Sequence, residues 1–442
     1  MALIDLSNLT AFLIIAAWAA FVWISWQRLL DGLYLIVLCL TTFLIRFQIL
    51  GLPTTFLELL VVSAFVIWLI KDERYRRLNW SFQGRSFNVI PQPYRWPLLL
   101  IIVAATISAF VSPLSVAAWG LWKAYFVDAF LFLILVIYNL KDRRQAYIFL
   151  DVLGLLILEL FVIGLVQKMT GLTIPNDFWA ATETRRITTF LQYPNANGLL
   201  IAPVLAFYFG YLLKPDNWLK QLYKVLIIMA GLAIIIWAQT AGALVALAVA
   251  VFMVAWQWRP TRYLALASLL LLLLSPLAYS PWRQKIQLTW QNIQTQRLDL
   301  QSSSLEIRIA QWRETAALLA TRPLWGAGLG GYQTLVKPYH QTSFIEIYLY
   351  PHNIFLNFWV ELGFLGLVGF VWLLTIALRA VRKKTALRQT AQLNFCLLLA
   401  LTALIIHGLV DVPYFKNDLS LLFMLFLGLI IANTNPNLDS RH

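Results

Sequence analysis

Apolar runs of about 16 to 25 residues recur from one end of the chain to the other, and each is long enough to cross roughly 30 Å of hydrocarbon as a helix. They lie near 9–26, 29–45, 55–70, 97–112, 115–139, 146–167, 196–213, 222–238, 241–257, 262–279, 352–378, 391–410 and 418–433. Transmembrane barrel strands would be shorter and alternate in polarity, so these runs are helices. Of the 442 residues, 61% are hydrophobic and only 12% charged, and the mean hydropathy is +0.74. That excludes an ordinary soluble globular domain. The expected fold is an all-α polytopic bundle of about 12–13 spans. The first run lacks the basic flank of a secretory signal and is followed almost at once by a second, so it is read as a retained span.

The net charge of +14 has a topological explanation and calls for no nucleic acid. Basic residues gather in alternate loops: Lys71, Arg74, Arg76 and Arg77; Lys141, Arg143 and Arg144; Lys214, Lys220 and Lys224; Arg259 and Arg262; and Arg379, Arg382, Lys383, Lys384 and Arg388. The positive-inside rule puts these five loops in the cytoplasm, and segments 168–195 and 280–351 together on the opposite side. Three regions follow: 1–279 with helical spans and short loops, 280–351 as an extracytoplasmic loop, and 352–442 as C-terminal spans. Within the loop, Ser303 and Glu306 form a capping box opening an amphipathic helix, with Leu305, Ile309, Trp312, Ala316 and Leu319 on one side.

Three polar clusters fall at this extracytoplasmic surface. One is Arg185-Arg186 leading into Tyr193-Pro194-Asn195-Ala196-Asn197-Gly198; the second is Arg308, Trp312 and Arg313; the third is Pro351-His352-Asn353, with Glu361 and Gly363 below it. Guanidinium groups match phosphate oxygens bidentately, so a cationic pocket at a bilayer surface suits an anionic lipid head group. An imidazole titrates near pH 6.5, which makes His352 the candidate base for a sugar hydroxyl; the alternative is an interfacial histidine bonded to a loop carbonyl. Likewise, arginines at span ends anchor to lipid head groups as well as to substrates, and Asn195 and Asn197 also suit a simple turn. Ionisable residues inside spans are functional candidates by default. Among Glu58, Lys123, Asp128 and Glu159, Lys123 lies about two turns below the surface. It either reaches a diphosphate or snorkels, and Asp128 is its candidate counter-ion.

Gly326-Ala327-Gly328-Leu329-Gly330-Gly331 fits a dinucleotide-binding pattern, but no βαβ unit surrounds it and it reads as a turn. Cys39 and Cys396 sit far apart within apolar runs and imply neither disulfide nor metal. With four histidines and no metal-ligand spacing, no metal site is expected.

The order of motifs resembles the bacterial O-antigen ligase and polymerase superfamily. The segment Arg186-Ile187-Thr188-Thr189-Phe190 followed by Tyr193-Pro194-Asn195 precedes a middle span. The long loop then carries Arg308, Trp312 and Pro323-Leu324-Trp325-Gly326-Ala327-Gly328, and ends in His352-Asn353-Ile354-Phe355-Leu356 and Glu361-Leu362-Gly363-Phe364-Leu365-Gly366. A late echo appears at His407-Gly408 and Asp411. The resemblance covers about 185–430 and implies transfer of a glycan from an undecaprenyl-diphosphate carrier to a lipid or glycan acceptor hydroxyl in the periplasm. It implies an inner-membrane enzyme, surrounded by membrane lipids, that uses no metal and no cofactor. On this reading His352 takes the acceptor proton and Glu361 orients it, while Arg186 and Arg308 hold the diphosphate. Lys123, Asn195, Trp312, Arg313 and Asn353 complete the substrate site. The chain departs from the family at Thr240-Ala241-Gly242, where members often carry Ser-Arg-Gly. That departure keeps open a transporter of a small anion or solute.

Overall fold

The computed structural model describes residues 8–49, 51–71, 90–257, 260–267, 280–295, 303–341, 345–383 and 387–434. Arg74, Arg76, Arg77, Arg259, Lys384 and most of the run 262–279 lie outside the described residues. The helices are α1 (Asn8–Gln27), α2 (Leu29–Leu38), α3 (Phe56–Lys71), α4 (Gln92–Val111), α5 (Ser115–Trp122), α6 (Asp128–Asn139), α7 (Arg143–Thr170), α8 (Pro194–Tyr211), α9 (Trp218–Trp237) and α10 (Ala241–Ala255). They continue with α11 (Ser280–Thr295), α12 (Ser304–Thr321), α13 (Ile354–Arg382), α14 (Arg388–Gly408) and α15 (Asn417–Asn433). Among the described residues one antiparallel hairpin, β1 (Arg46–Ile49) with β2 (Leu52–Thr55), pairs Arg46 with Thr55.

The all-α membrane class holds. Among the described residues, six helical stretches are long and apolar enough to cross a bilayer: 92–111, 115–139, 143–170, 218–237, 354–382 and 388–408; four shorter apolar helices accompany them. α15 is buried along its whole length, and α8 nearly so. Helices apolar all round belong at the centre of a bundle, and α14 packs against α8 and α10 while α15 packs against α6.

Two expected spans come apart. The run 29–45 is α-helical only to Leu38, a rise of about 15 Å; a 3-10 turn over Leu40–Leu44, where the Thr42 hydroxyl bonds the Cys39 carbonyl at 2.7 Å, then leads into the hairpin. The run 352–378 breaks at Gly363, whose φ of 71° and ψ of 179° put it in a region open essentially to glycine alone. Phe358 stacks on Phe370 with ring centroids 3.8 Å apart. In a straight helix twelve residues would separate them by about 18 Å, so 354–362 folds back over the rest of α13. Residues 364–382 alone rise about 28 Å, a full span.

The glycine-rich turn fills the break. Phe364 N–H donates to the Leu324 carbonyl at 3.0 Å, Ala327 N–H donates to the Val360 carbonyl at 2.7 Å, and the Ser108 hydroxyl donates to the Glu361 carbonyl. A Cβ on Gly326 would overlap the Val360 carbonyl oxygen, and one on Gly363 the Leu324 carbonyl oxygen. The turn is thus a backbone-to-backbone dock, which explains why its glycines cannot carry side chains. Under it lies a small second core of Leu318, Leu319, Ala327, Tyr332, Val336 and Val360. The Ser303–Glu306 capping box is formed. The buried face of α12 runs through Gln311, Thr315, Leu318 and Leu319, while Leu305 is exposed. That face turns inward because Thr315 and the Tyr332 hydroxyl bond each other at 2.9 Å.

Candidate active site

His352 sits just before α13 with φ of 47°, a left-handed backbone that is costly for any residue but glycine. The surroundings over-determine it. Tyr348 and Tyr350 press ring edges against its imidazole, with centroids 5.2 and 4.9 Å away. Next to it, Asn353 accepts from the Phe355 and Leu356 N–H groups, capping α13, and donates to the Leu409 carbonyl at 3.0 Å. The start of α13 is in this way tied to the end of α14.

That tie brings Asp411 to the histidine. Its Oδ1 lies 3.3 Å from His352 Nδ1 and accepts from the Val412 N–H at 2.9 Å, and its Oδ2 lies 3.9 Å from Arg308 Nη2. Burial alone would push the Asp411 carboxyl up. The His352 hydrogen bond and the neighbouring His352, His407 and Arg308 outweigh it, holding the group below the usual carboxylate range. An ionised carboxylate facing Nδ1 fixes a proton there and leaves the Nε2 lone pair as the basic one. Among the described residues Nε2 has no hydrogen-bond partner.

Arg308 and Trp312, one turn apart on α12, share a face. Trp312 Nε1 donates to the Pro351 carbonyl at 2.8 Å, anchoring the helix over the histidine turn and so delivering Arg308 to Asp411. Arg313 points elsewhere, donating to the Ile293 carbonyl of α11 at 2.8 Å.

The adjacent arginines 185 and 186 do different work. Arg185 donates to the Lys168 and Met169 carbonyls at the end of α7, where a cation complements the helix dipole. Arg186 places Nε and Nη2 on the Ala238 carbonyl, both at 3.0 Å, and Nη2 on Asn195 Oδ1 at 3.1 Å. Burial lowers its pKa from the ordinary arginine value, yet a guanidinium stays protonated. Both Nη1 hydrogens remain uncommitted among the described residues. Tyr350 is half-buried beside His352, near enough to Asp411 and Arg308 to feel their charge.

The family departure at Thr240-Ala241-Gly242 has a steric context. A Cβ on Gly242 would meet the buried His407 ring at 2.8 Å, and one on Gly198 would meet the Thr240 side chain at 3.0 Å. These glycines are where α8, α10 and α14 cross.

Two other expected site residues are engaged by the fold. Lys123 pairs with Glu58 at 2.7 Å and donates to the Pro53 carbonyl and the Thr54 hydroxyl at 2.7 and 2.9 Å. Its counter-ion is Glu58 and not Asp128, because a π-turn over Lys123–Val127 aims it at the first turn of α3. Glu361 Oε2 accepts from the Gly330 N–H at 2.6 Å, securing the glycine turn, while the carboxylate on His352 is Asp411. In the sequence Asp411 carries only the weak signal of its spacing from His407-Gly408.

No curated protein matches this chain. Residues 225–371 match the family model described as O-antigen ligase, a stretch from within α9 into the spanning half of α13 that includes Arg308, Trp312, His352 and Glu361. The chain is therefore a multi-pass helical membrane protein in which residues 225–371 are similar to the O-antigen ligase family.

Proposed function

We propose that this protein transfers a glycan from an undecaprenyl-diphosphate carrier to an acceptor hydroxyl at the extracytoplasmic face of the bacterial inner membrane. The observation that carries the reading is His352, backed at Nδ1 by the buried Asp411, with Arg308 beside it. The match to the O-antigen ligase family supports a glycan on a lipid carrier as donor, with a lipid or a glycan as acceptor. The five basic loops support the orientation, since they would face the cytoplasm and leave His352 outside.

In this scheme the acceptor oxygen attacks the anomeric carbon as its proton passes to His352 Nε2. The bond between that carbon and the diphosphate oxygen breaks, with inversion, and undecaprenyl diphosphate leaves with the electron pair. Asp411 stabilises the imidazolium that forms. Arg308 and the free Nη1 edge of Arg186 neutralise charge developing on the leaving diphosphate. Asn195 orients Arg186, Trp312 and Asn353 hold the histidine turn, and Glu361 supports the site through the glycine turn. Lys123 and Arg313 are committed to structural partners, Glu58 and the Ile293 carbonyl.

The test is consumption of an undecaprenyl-diphosphate glycan by the purified protein in lipid, with candidate acceptors supplied. Wild type is expected to release undecaprenyl diphosphate and extend an acceptor, and His352→Ala and Arg308→Ala to lose at least about 100-fold. Equal rates in all three would defeat the site assignment, and an untouched donor in all three would defeat the reaction.

A further inference from the structure

Gln167, in the last turn of α7, is completely buried in a helix that otherwise packs through apolar side chains. A primary amide has two acceptor lone pairs and two N–H donors, and here all four are used. Oε1 accepts from the Thr188 and Thr189 N–H groups at 2.9 and 2.8 Å; Nε2 donates to the Thr189 carbonyl at 2.9 Å and to the Thr173 hydroxyl at 3.1 Å. Every bond goes to the segment that carries Arg186 or to the turn leading into it.

That segment does not hold its shape unaided. Thr173 and Thr189 have φ of 63° and 53°, left-handed values that a β-branched residue adopts only under constraint. The Thr189 hydroxyl in turn donates to Asn197 Oδ1 at 2.7 Å, linking the segment to the first turn of α8, which also carries Asn195. Gly164, one turn earlier on α7, leaves room for Ile187: a Cβ there would lie 2.9 Å from the Ile187 methyl. Gln167 therefore fixes residues 188 and 189, and with them the direction in which Arg186 leaves the backbone.

We infer that Gln167 is a positioning residue for the donor site: it holds the left-handed Thr189 turn so that the Nη1 edge of Arg186 faces the diphosphate. The inference rests on the reading that Arg186 binds that diphosphate. It assigns Gln167 no contact with substrate, so its effect must pass through Arg186 and vanish when Arg186 is absent.

A double-mutant cycle on the full-length protein in lipid nanodiscs tests this, using undecaprenyl diphosphate itself as the probe, so that neither glycan nor acceptor need be known. Arg186→Ala is expected to weaken binding about 10- to 100-fold, the range for a lost charge-assisted hydrogen bond. Gln167→Met, close in volume, is expected to weaken it about 10-fold by misplacing the guanidinium. The double variant should bind as Arg186→Ala does, within about twofold. Multiplied losses in the double variant would mean that Gln167 acts elsewhere, and overturn the inference. Arg186→Ala binding like wild type would instead remove the donor-site reading beneath it. Thermal melting establishes that each variant is folded. Should Gln167→Met fail to fold, Thr173→Val, at an exposed position, removes one of the four bonds. It is expected to weaken binding about two- to threefold, again only when Arg186 is present, and unchanged binding would overturn the inference.

Discussion

Replacing Asp411 by asparagine keeps the shape of the side chain and removes its charge, isolating what that charge does for His352. The carboxylate is 1% exposed and faces His352 Nδ1 at 3.3 Å and Arg308 at 3.9 Å. A hydrogen bond to a charged group contributes about 1.5 to 3 kcal/mol, and the length of this one places it low in that range. The ion pair with Arg308, at an effective dielectric near 20, adds up to about 4 kcal/mol before desolvation is subtracted. The Arg308 pair is present in ground and transition states alike, whereas imidazolium and Asp411 carry opposite charge only when His352 holds the acceptor proton, so the His352 contribution is the one gained in the transition state. A loss of about 2 to 3 kcal/mol corresponds to a rate about 30- to 150-fold lower. Initial rates of glycan transfer at saturating donor measure it, with carrier-diphosphate binding as the companion assay. The rate should fall while binding changes little. A loss under about threefold, in a folded protein in which His352→Ala is inactive, would refute the assignment of Asp411 as the partner of the base. Stability gives an independent check with a fixed sign. Because the folded-state pKa of Asp411 is depressed, its ionisation stabilises the fold above the ordinary carboxylate pKa near 3.9, and this is lost as pH falls through the lower folded value. The gap in melting temperature between wild type and Asp411→Asn should therefore be present at neutral pH and close below about pH 4.

Gly363→Ala should destabilise the protein by about 2 to 4 kcal/mol, from a disallowed backbone conformation and a clash that lifts the glycine turn off α13; a melting curve matching wild type would contradict the account of the break. Lys123→Met should destabilise by about 3 to 5 kcal/mol, because it leaves Glu58 buried without its cation. The double variant Lys123→Met, Glu58→Gln should recover most of that loss, and thermal melting in lipid tests both.

How much of this was legible in the sequence depends on the range of the forces involved. Hydropathy and helical period act over a single turn or span, so the membrane class, most helix positions and the Ser303–Glu306 cap could be read from the residues alone. The motif order around Arg308, His352 and Gly363 pointed to the family that residues 225–371 match. The sequence also marked Gly363, within the motif from Glu361 to Gly366, but carried no sign of a fold-back there. A single positive φ leaves no trace in hydropathy, so 352–378 looked like one continuous span. What only the tertiary structure decided is the pairing of polar groups far apart in the chain: Asp411 on His352 across 59 residues, Glu58 on Lys123 in place of Asp128, Glu361 on the Gly330 N–H, and Gln167 beneath Thr188 and Thr189. A buried polar group must find a partner, but helix packing selects which one it meets. That choice is a property of the whole bundle and of no local segment.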